Sequence, residues 1–168
     1  FDGYVESEFG ERKEKRRVEI QGSMGLEVYN QKRNFNETAE PEGKKSRKSR
    51  KLQFVVQRHA ASRLHYDFRL EVDGVLKSWA VPKGPSLNPN DKRLAMMVED
   101  HPYAYRTFEG TIPKGNYGAG EVEIWDKGYY EPLNKAKGKS ADKVMQAELE
   151  EGSIKVMLYG EKLQGEFA

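Results

Sequence analysis

The amino-acid sequence predicts a mainly β fold, a small closed or nearly closed antiparallel barrel with one or two flanking helices. From residue 52 onward, several short segments alternate apolar and polar residues with a period of two, which is typical of strands with one buried face. Turn-forming residues separate these segments, and one segment near the C-terminus has the start and stop signals of a helix. A two-sheet sandwich fits the same pattern.

The region before residue 52 has a different composition. Residues 25–51 carry eight basic and four acidic residues without a sustained apolar period, which predicts a flexible basic N-terminal arm. Six of the basic residues fall within Lys44–Lys51, where they form either a solvated linker or an arm that contacts phosphates. Gly22-Ser23-Met24 is typical of a cloning junction, so residues 1–24 are interpreted as a tag or a disordered leader. The β-barrel domain is therefore predicted to span residues 52–168.

The clearest strand pattern belongs to a hairpin. Between His65 and Val72, four apolar residues point to one side and four polar residues to the other. Asp73-Gly74 is a two-residue turn sequence, and Val75–Val81 is the expected return strand. Further strands are predicted at 52–58, 93–99, 120–125, 154–159 and 162–167. On the strand at 93–99, the alternation places Arg93 and Glu99 on the same side.

One helix is predicted at Ala141–Glu151. Ser140 is a favourable N-cap, and Asp142 complements the positive end of the helix dipole. Gly152 supplies the residue that most often ends a helix.

The composition excludes several classes of protein. There is no cysteine, which rules out disulfides, thiolate zinc sites, iron–sulfur clusters and cysteine catalysis, and fits a reducing, cytoplasmic compartment. No apolar run approaches the ~18 residues of a membrane span, and the mean hydropathy is −0.90. The formal net charge of +2 indicates no polyanion partner by itself.

Three polar residues on the predicted hairpin suggest a metal site. His65 and Asp67 are two residues apart on a strand, so they share a face with Cα atoms about 7 Å apart, and Arg69 continues that face. His59 lies six residues before His65, close enough for the chain to return it to the start of the strand. Two imidazoles and one carboxylate suit Mn²⁺, Fe²⁺, Co²⁺ or Zn²⁺ better than Ca²⁺ or Mg²⁺.

Such a site allows more than one function. A metal there can bind a phosphoryl oxygen and activate water, while Arg69 balances charge and His101 donates a proton to the leaving oxygen. The same residues also imitate the two-histidine, one-carboxylate triad of an Fe(II) oxygenase. A third alternative is a non-catalytic DNA-binding barrel whose polar row is an ordinary surface feature.

Longer motifs resemble one family closely. The chain contains FVVQRHAASRLHYDFRLEVDGVLKSWAVPKGPS at 54–86 and RLAMMVEDHPYAYRTFEGTIPKGNYGAGEVEIWDKG at 93–128, with LEVYNQKRNFNETAEPEG before them and GEKLQGEFA after them. These stretches resemble the 3′-phosphoesterase domain of bacterial and archaeal DNA ligase D and its free-standing relatives. The resemblance covers roughly residues 25–168.

The resemblance implies a β-barrel enzyme that repairs 3′ ends before non-homologous end joining. It implies a Mn²⁺-dependent reaction, with Co²⁺ or Zn²⁺ as alternatives. A phosphodiesterase step removes a terminal ribonucleoside, and a phosphomonoesterase step removes the remaining 3′-phosphate. The implied substrates are DNA or DNA–RNA primer–template 3′ ends. The implied partners are the DNA ligase, the polymerase and Ku of an end-joining system, with no membrane.

The resemblance also implies roles for individual residues. The family's metal ligands fall on His59, His65 and Asp67. The other residues with implied roles are the phosphate-contacting Arg69, His101 and Tyr105, the diesterase-linked Arg33 and Glu40, and the supporting, substrate-binding Gln57, Lys83, Arg93 and Glu99. Asn34 stands where the family often has Asp, and an amide cannot act as a base or an anionic ligand, which puts the diesterase step in question.

Overall fold

The computed structural model describes residues 2–6, 26–41, 43, 51–135 and 138–168, and these form a mainly β fold. The strands are β1 (Asp2–Glu6), β2 (Leu52–Ala60), β3 (Leu64–Val72), β4 (Val75–Val81), β5 (Lys92–Pro102), β6 (Gly110–Ile112), β7 (Gly120–Pro132), β8 (Val156–Gly160) and β9 (Gln164–Phe167). The helices are α1 (Glu27–Gln31), α2 (Ala141–Glu151) and a 3₁₀ helix at Tyr103–Thr107.

The strands form one antiparallel sheet in the order β1-β5-β4-β3-β2-β7-β8-β9, and β6 pairs with the start of β7. Within the described residues, no pairing joins β9 back to β1, so the sheet is a half-barrel. The predicted mainly β, antiparallel class is confirmed. The predicted turn is confirmed as well, since Asp73 and Gly74 have φ angles of 51° and 81°.

Alternation along β3 separates the two faces of the sheet. Phe68 and Leu70 belong to a core cluster with Phe54 and Val56 of β2. Asp67 and Arg69 point to the other face, together with Gln57 of β2, which pairs with Asp67. The larger core cluster therefore lies on one side of this hairpin, and the predicted metal ligands lie on the other, where a smaller cluster contains Tyr29, Leu76 and Tyr105.

Helix α2 closes the core side, as the sequence predicts. The Ser140 hydroxyl accepts the backbone N–H of Lys143 at 3.3 Å, and Gly152 ends the helix in the left-handed conformation. Met145 and Leu149 bury their side chains in the core cluster. Within the described part of the chain, no helix is long and apolar enough to span a membrane.

The N-terminal segment differs from the flexible arm that the sequence predicts. Residues 26–41 lie against β5 and the 3₁₀ helix, with the Tyr29 side chain fully buried. Helix α1 has only five residues, too short for a period to be visible in the sequence. The basic residues at 44–50, residue 25 of the predicted arm and residues 7–24 of the predicted leader lie outside the described residues, whereas Asp2–Glu6 forms β1.

Candidate metal and phosphate site

His59, His65 and Asp67 converge as the sequence predicts. One ligand atom from each lies within 4.8 Å of the other two. His59 and His65 are directly opposite each other in the β2–β3 ladder, and their rings are 4.7 Å apart. His59 Nδ1 lies 3.4 Å from Asp67 Oδ2, and His65 Nε2 lies 3.2 Å from Asp67 Oδ1.

Backbone carbonyls orient both imidazoles. His59 Nε2 donates to the carbonyl of Gly118 at 2.6 Å, and His65 Nδ1 donates to the carbonyl of Arg63 at 3.2 Å. Because a carbonyl only accepts, the proton of each ring sits on that outer nitrogen. The inner nitrogens, which face Asp67, are left with their lone pairs, and this is how proteins present histidine to a metal.

The charge balance of this cluster fits a bound cation. Two lone pairs that face a carboxylate need a positive charge between them, which either a proton or a metal ion supplies. Burial acts to raise the pKa of Asp67, but Arg69, and the two histidines when an inner nitrogen carries a proton, hold it well below its usual range. With such a proton on Nε2, the hydrogen bond that His65 donates to Asp67 raises the pKa of His65. The donor set of two nitrogens and one anionic oxygen suits a divalent transition metal.

Arg69 lies beside this cluster in a fixed orientation. Its Nε donates to Gln57 Oε1 at 2.7 Å, and its Nη2 lies 3.4 Å from Asp67 Oδ2. Its guanidinium carbon is 5.0 Å from the centre of the Tyr105 ring. The buried Nη1 has no hydrogen-bond partner among the described residues. Arg69 can therefore donate a further hydrogen bond, from Nη1, to an anion held next to the metal ligands.

Gln57 ties Arg69 to the segment after β5. It is fully buried, and its amide nitrogen donates to the carbonyls of Tyr105 and Phe108 at 2.8 and 3.1 Å. Both amide hydrogens and the amide oxygen are thus engaged. Gln57 supports Arg69, and no part of it is exposed to a ligand.

The N-terminal segment adds a second cationic group. Arg33 Nε donates to Glu40 Oε2 at 2.9 Å, and the two side chains are only 5% and 0% exposed. The Tyr105 hydroxyl donates to the same Glu40 oxygen at 2.8 Å. Arg33 Nη2 lies 3.1 Å from His101 Nε2, so this segment meets the sheet at His101.

His101 is held as a neutral acceptor. Its Nδ1 donates to the carbonyl of Glu99 at 3.0 Å, which leaves the Nε2 lone pair for the Arg33 N–H. Burial, together with the charges of Arg69 and Arg33, lowers the pKa of His101 well below its usual value. The predicted role of His101 as a proton donor requires a proton on Nε2, which the ring does not carry in this arrangement. An incoming phosphate would compete for these same cations.

The predicted shared side of Arg93 and Glu99 is wrong. A β-bulge shifts the β4–β5 register between Leu76 and Ser78, and it turns Glu99 toward Arg33, 3.4 Å away. Arg93 lies on the side opposite the site and donates to the carbonyl of Gly84 at 3.1 Å.

Two further predicted positions lie apart from the cluster. Lys83 is exposed in the turn after β4 and has no hydrogen bond or ion pair among the described residues. Asn34 is exposed, and its side-chain oxygen accepts the backbone N–H of Asn36 at 3.1 Å, which closes a local turn.

Sequence reasoning missed three residues around the site. The Tyr29 ring lies 5.0 Å from His101, and the Arg33 guanidinium lies 4.0 Å above the Tyr29 ring. Lys32 forms an ion pair with Glu99 at 3.2 Å, and Tyr117 lies next to Lys32. All three belong to motifs that carry the family resemblance, but neither periodicity nor spacing distinguishes them from other residues.

Comparison with known proteins identifies the family. The family described as the DNA ligase D 3′-phosphoesterase domain matches residues 57–168. A multifunctional non-homologous end joining protein LigD from Pseudomonas aeruginosa is 53% identical over 145 residues, 85% of this chain. This chain belongs to the DNA ligase D 3′-phosphoesterase domain family. The residues that carry the metal cluster and Arg69 all lie within the matched range.

Two mycobacterial relatives give the same result. LigD from Mycolicibacterium smegmatis is 44% identical over 144 residues, and LigD from Mycobacterium tuberculosis is 47% identical over 115 residues. These matches cover 85% and 68% of this chain. They cover only 18% and 14% of those two relatives, and the match to the Pseudomonas protein covers 16% of it. This chain therefore corresponds to one domain of each larger protein.

Proposed function

We propose that this chain is a divalent-metal-dependent phosphoesterase that repairs 3′ ends of DNA for end joining. Its substrates would be primer–template ends that carry a terminal ribonucleoside or a 3′-phosphate, and its product would be a 3′-hydroxyl. One observation carries the proposal. The two imidazole lone pairs and the Asp67 carboxylate converge next to Arg69, whose Nη1 group has no partner among the described residues. The family membership supports the same reading.

Both steps break one P–O bond with water. In the monoester step, water adds to phosphorus, the bond to the 3′ oxygen breaks, and that oxygen takes a proton to become the 3′-hydroxyl. In the diester step, the bond to the 5′ oxygen of the terminal nucleoside breaks instead, and a 3′-phosphate remains. A bound divalent ion supplies Lewis acidity at the phosphoryl oxygen and lowers the pKa of a coordinated water.

The protein's own groups position the ester and balance its charge. Arg69 offers Nη1 to a phosphoryl oxygen while Gln57 and Asp67 fix its orientation. Arg33 adds a second positive charge beside His101, where negative charge increases during the reaction. Arg33 would then exchange its hydrogen bond with His101 for one to the phosphate.

Manganese is the proposed metal. Cobalt and zinc are alternatives, because they also accept imidazole nitrogen and carboxylate oxygen as ligands. The proposed partners are the ligase, the polymerase and Ku of an end-joining system. The three relatives above are named for non-homologous end joining, which supports a DNA repair context for this domain.

The test compares variants on the two faces of the same strands. We expect Asp67→Asn and His65→Ala to reduce Mn²⁺-dependent phosphate release from a 3′-phosphate primer–template at least ~10³-fold, because each removes a metal ligand. Arg58→Ala is the control, since Arg58 lies between Gln57 and His59 but pairs with Glu123 on the opposite face. Activity retained in folded Asp67→Asn protein would refute the site.

The same assay separates the alternatives. Phosphate release in the absence of oxygen excludes the oxygenase. DNA binding without phosphate release in Mn²⁺, Co²⁺ or Zn²⁺ would favour the non-catalytic barrel instead.

A further inference from the structure

Tyr117 combines exposure with a position at the mouth of the site. It lies in the glycine-rich loop between β6 and β7, and its side chain is among the large apolar groups most exposed in the described residues, at 47%. A single exposed ring is ordinary on a protein surface. Beside a candidate active site, such a ring also offers a surface on which a nucleic-acid base can stack.

The loop that carries Tyr117 also fixes a metal ligand. The next residue, Gly118, presents its carbonyl to His59 Nε2, with a φ angle of +74° that favours glycine. A Cβ at Gly118 would lie 3.4 Å from the His59 ring. Adjacent Cα atoms are about 3.8 Å apart. The Cα atom of Tyr117 therefore lies within roughly 10 Å of the metal-facing nitrogen of His59.

The Tyr117 side chain also contacts the N-terminal segment. Lys32 Nζ lies 4.5 Å from the ring centre and 3.4 Å from the hydroxyl oxygen, and the Arg33 guanidinium lies 5.4 Å from the ring centre. Although both cations contact the ring, Tyr117 stays 47% exposed, so part of the ring face remains open to solvent. The ring therefore borders the space between His59 and Arg33.

We infer that the open face of Tyr117 stacks on the base of the 3′-terminal nucleoside that the diester step removes. This inference rests on the proposed function and names the group that recognises the leaving nucleoside. With the scissile phosphate at Arg69 and the metal ligands, the attached nucleoside has a length of the same order as the upper limit of roughly 10 Å between Tyr117 and His59. Stacking on an aromatic ring tolerates every base, as an end-repair enzyme requires.

The inference predicts a difference between substrates. A 3′-phosphate end carries no nucleoside beyond the phosphate, so Tyr117 has nothing to stack on in the monoester step. A terminal ribose without a base is a diester that lacks the stacking partner but keeps the same bond to be broken.

The experiment measures kcat/KM on three primer–templates: a terminal ribonucleotide, a terminal abasic ribose and a 3′-phosphate. We expect Tyr117→Leu to lower kcat/KM roughly 5- to 100-fold on the first substrate, the size of one base–aromatic stack, and less than about threefold on the other two. Tyr117→Phe keeps the ring but loses the hydroxyl contact with Lys32, and we expect it to behave like the unmodified protein. An equal loss on all three substrates, or no loss on any, would overturn the inference.

A binding measurement distinguishes this inference from the proposed function. The fluorescence of 2-aminopurine falls when the base stacks, so a terminal 2-aminopurine ribonucleotide reports stacking without hydrolysis. In Asp67→Asn protein we expect quenching on binding that Tyr117→Leu removes and Tyr117→Phe retains. If the protein with Asp67 intact showed no phosphoesterase activity, the same quenching would refute the proposed function but not the stacking. Quenching that is unchanged by Tyr117→Leu, or absent altogether, would refute the stacking.

Discussion

The candidate site has two halves that the chain builds in different ways. The strand half consists of Gln57, His59, His65, Asp67 and Arg69 on β2 and β3, and the ladder between the two strands sets its geometry. The segment half consists of Tyr29, Arg33 and Glu40 before the sheet, with His101 and Tyr105 at the end of β5 and in the 3₁₀ helix. Backbone hydrogen bonds hold the first half, whereas a few buried side chains hold the second.

This difference determines how each half responds to the substitution of a side chain. The strand half is part of a continuous sheet, so a single side-chain change leaves its backbone in place. In the segment half, the Arg33–Glu40 pair is almost fully buried, and removing Glu40 leaves the buried Arg33 charge with only the longer contact to Glu99. The metal ligands and the second cationic group should therefore be separable by mutation. The contact between the halves passes through Gln57 and through the ring of Tyr105 over Arg69.

Among these variants, Gln57→Leu should have the largest effect on stability and activity, because Gln57 belongs to the strand half and contacts both halves. The change leaves Arg69 Nε and the carbonyls of Tyr105 and Phe108 without partners in a dry interior. We expect the free energy of unfolding to fall by about 2–4 kcal/mol, with phosphoesterase activity lost as well. Urea unfolding and phosphate release measure the two effects.

Gln57→Glu serves as the comparison variant for this experiment. It keeps an acceptor for Arg69 but loses the donor to the two carbonyls. A Gln57→Leu protein with unchanged stability would contradict the idea that Gln57 couples the two halves.

The next effect concerns Glu40→Gln, which should separate the halves. An amide leaves Arg33 with only the longer contact to Glu99, 3.4 Å away, at a site that is 0% exposed on the Glu40 side, so the segment half should detach locally. We expect ester hydrolysis to fall by at least ~10-fold while Mn²⁺ affinity stays within about threefold. Hydrogen exchange at residues 26–41 and calorimetric Mn²⁺ titration measure these outcomes.

Glu37→Gln is the matched control, since Glu37 lies in the same segment and is exposed. An equal loss of Mn²⁺ affinity and of hydrolysis in Glu40→Gln would show that the two halves do not behave independently.

The strand half was predictable from the sequence because alternation fixes which residues share a face. His65, Asp67 and Arg69 follow a clean period of two, and the Asp73-Gly74 turn sets the register of the hairpin. His59 required only a short connection back to β3. The fold class was predictable for the same reason, although the openness of the sheet depends on pairings between distant strands.

The segment half was not predictable from periodicity. Helix α1 is a single turn and a half, and the burial of Tyr29 and Glu40 depends on contacts with residues more than 60 positions away. Only the family resemblance selected Arg33 and Glu40. Strict alternation predicted that Arg93 and Glu99 share one side of β5. The bulge in β5 makes this prediction wrong, because one extra residue reverses the side on which the following side chains lie.

The smallest expected effect is a pH dependence of stability that belongs to the segment half. The pKa of His101 lies below its ordinary value of 6.5 in the folded protein, chiefly through burial, so the unfolded chain binds its proton first as the pH falls. Stability must then decrease as the pH drops below about 6.5, by at most about 1.4 kcal/mol per pH unit for this one group. His65 has the opposite sign, since its raised pKa adds stability that is lost as the pH rises.

His101→Gln isolates this contribution, because a glutamine oxygen still accepts from Arg33 but takes no proton. Without metal, between pH 7 and pH 5, we expect the unmodified protein to lose more unfolding free energy than the variant. The variant keeps the contribution of His65 to the pH dependence. The difference between the two slopes of unfolding free energy against pH is therefore the contribution of His101 alone. Parallel slopes would mean that His101 takes up its proton as readily in the folded protein as in the unfolded chain, and the protonated ring could not accept from Arg33. In that case the segment half would have to be held by Glu40 and Tyr29 without His101.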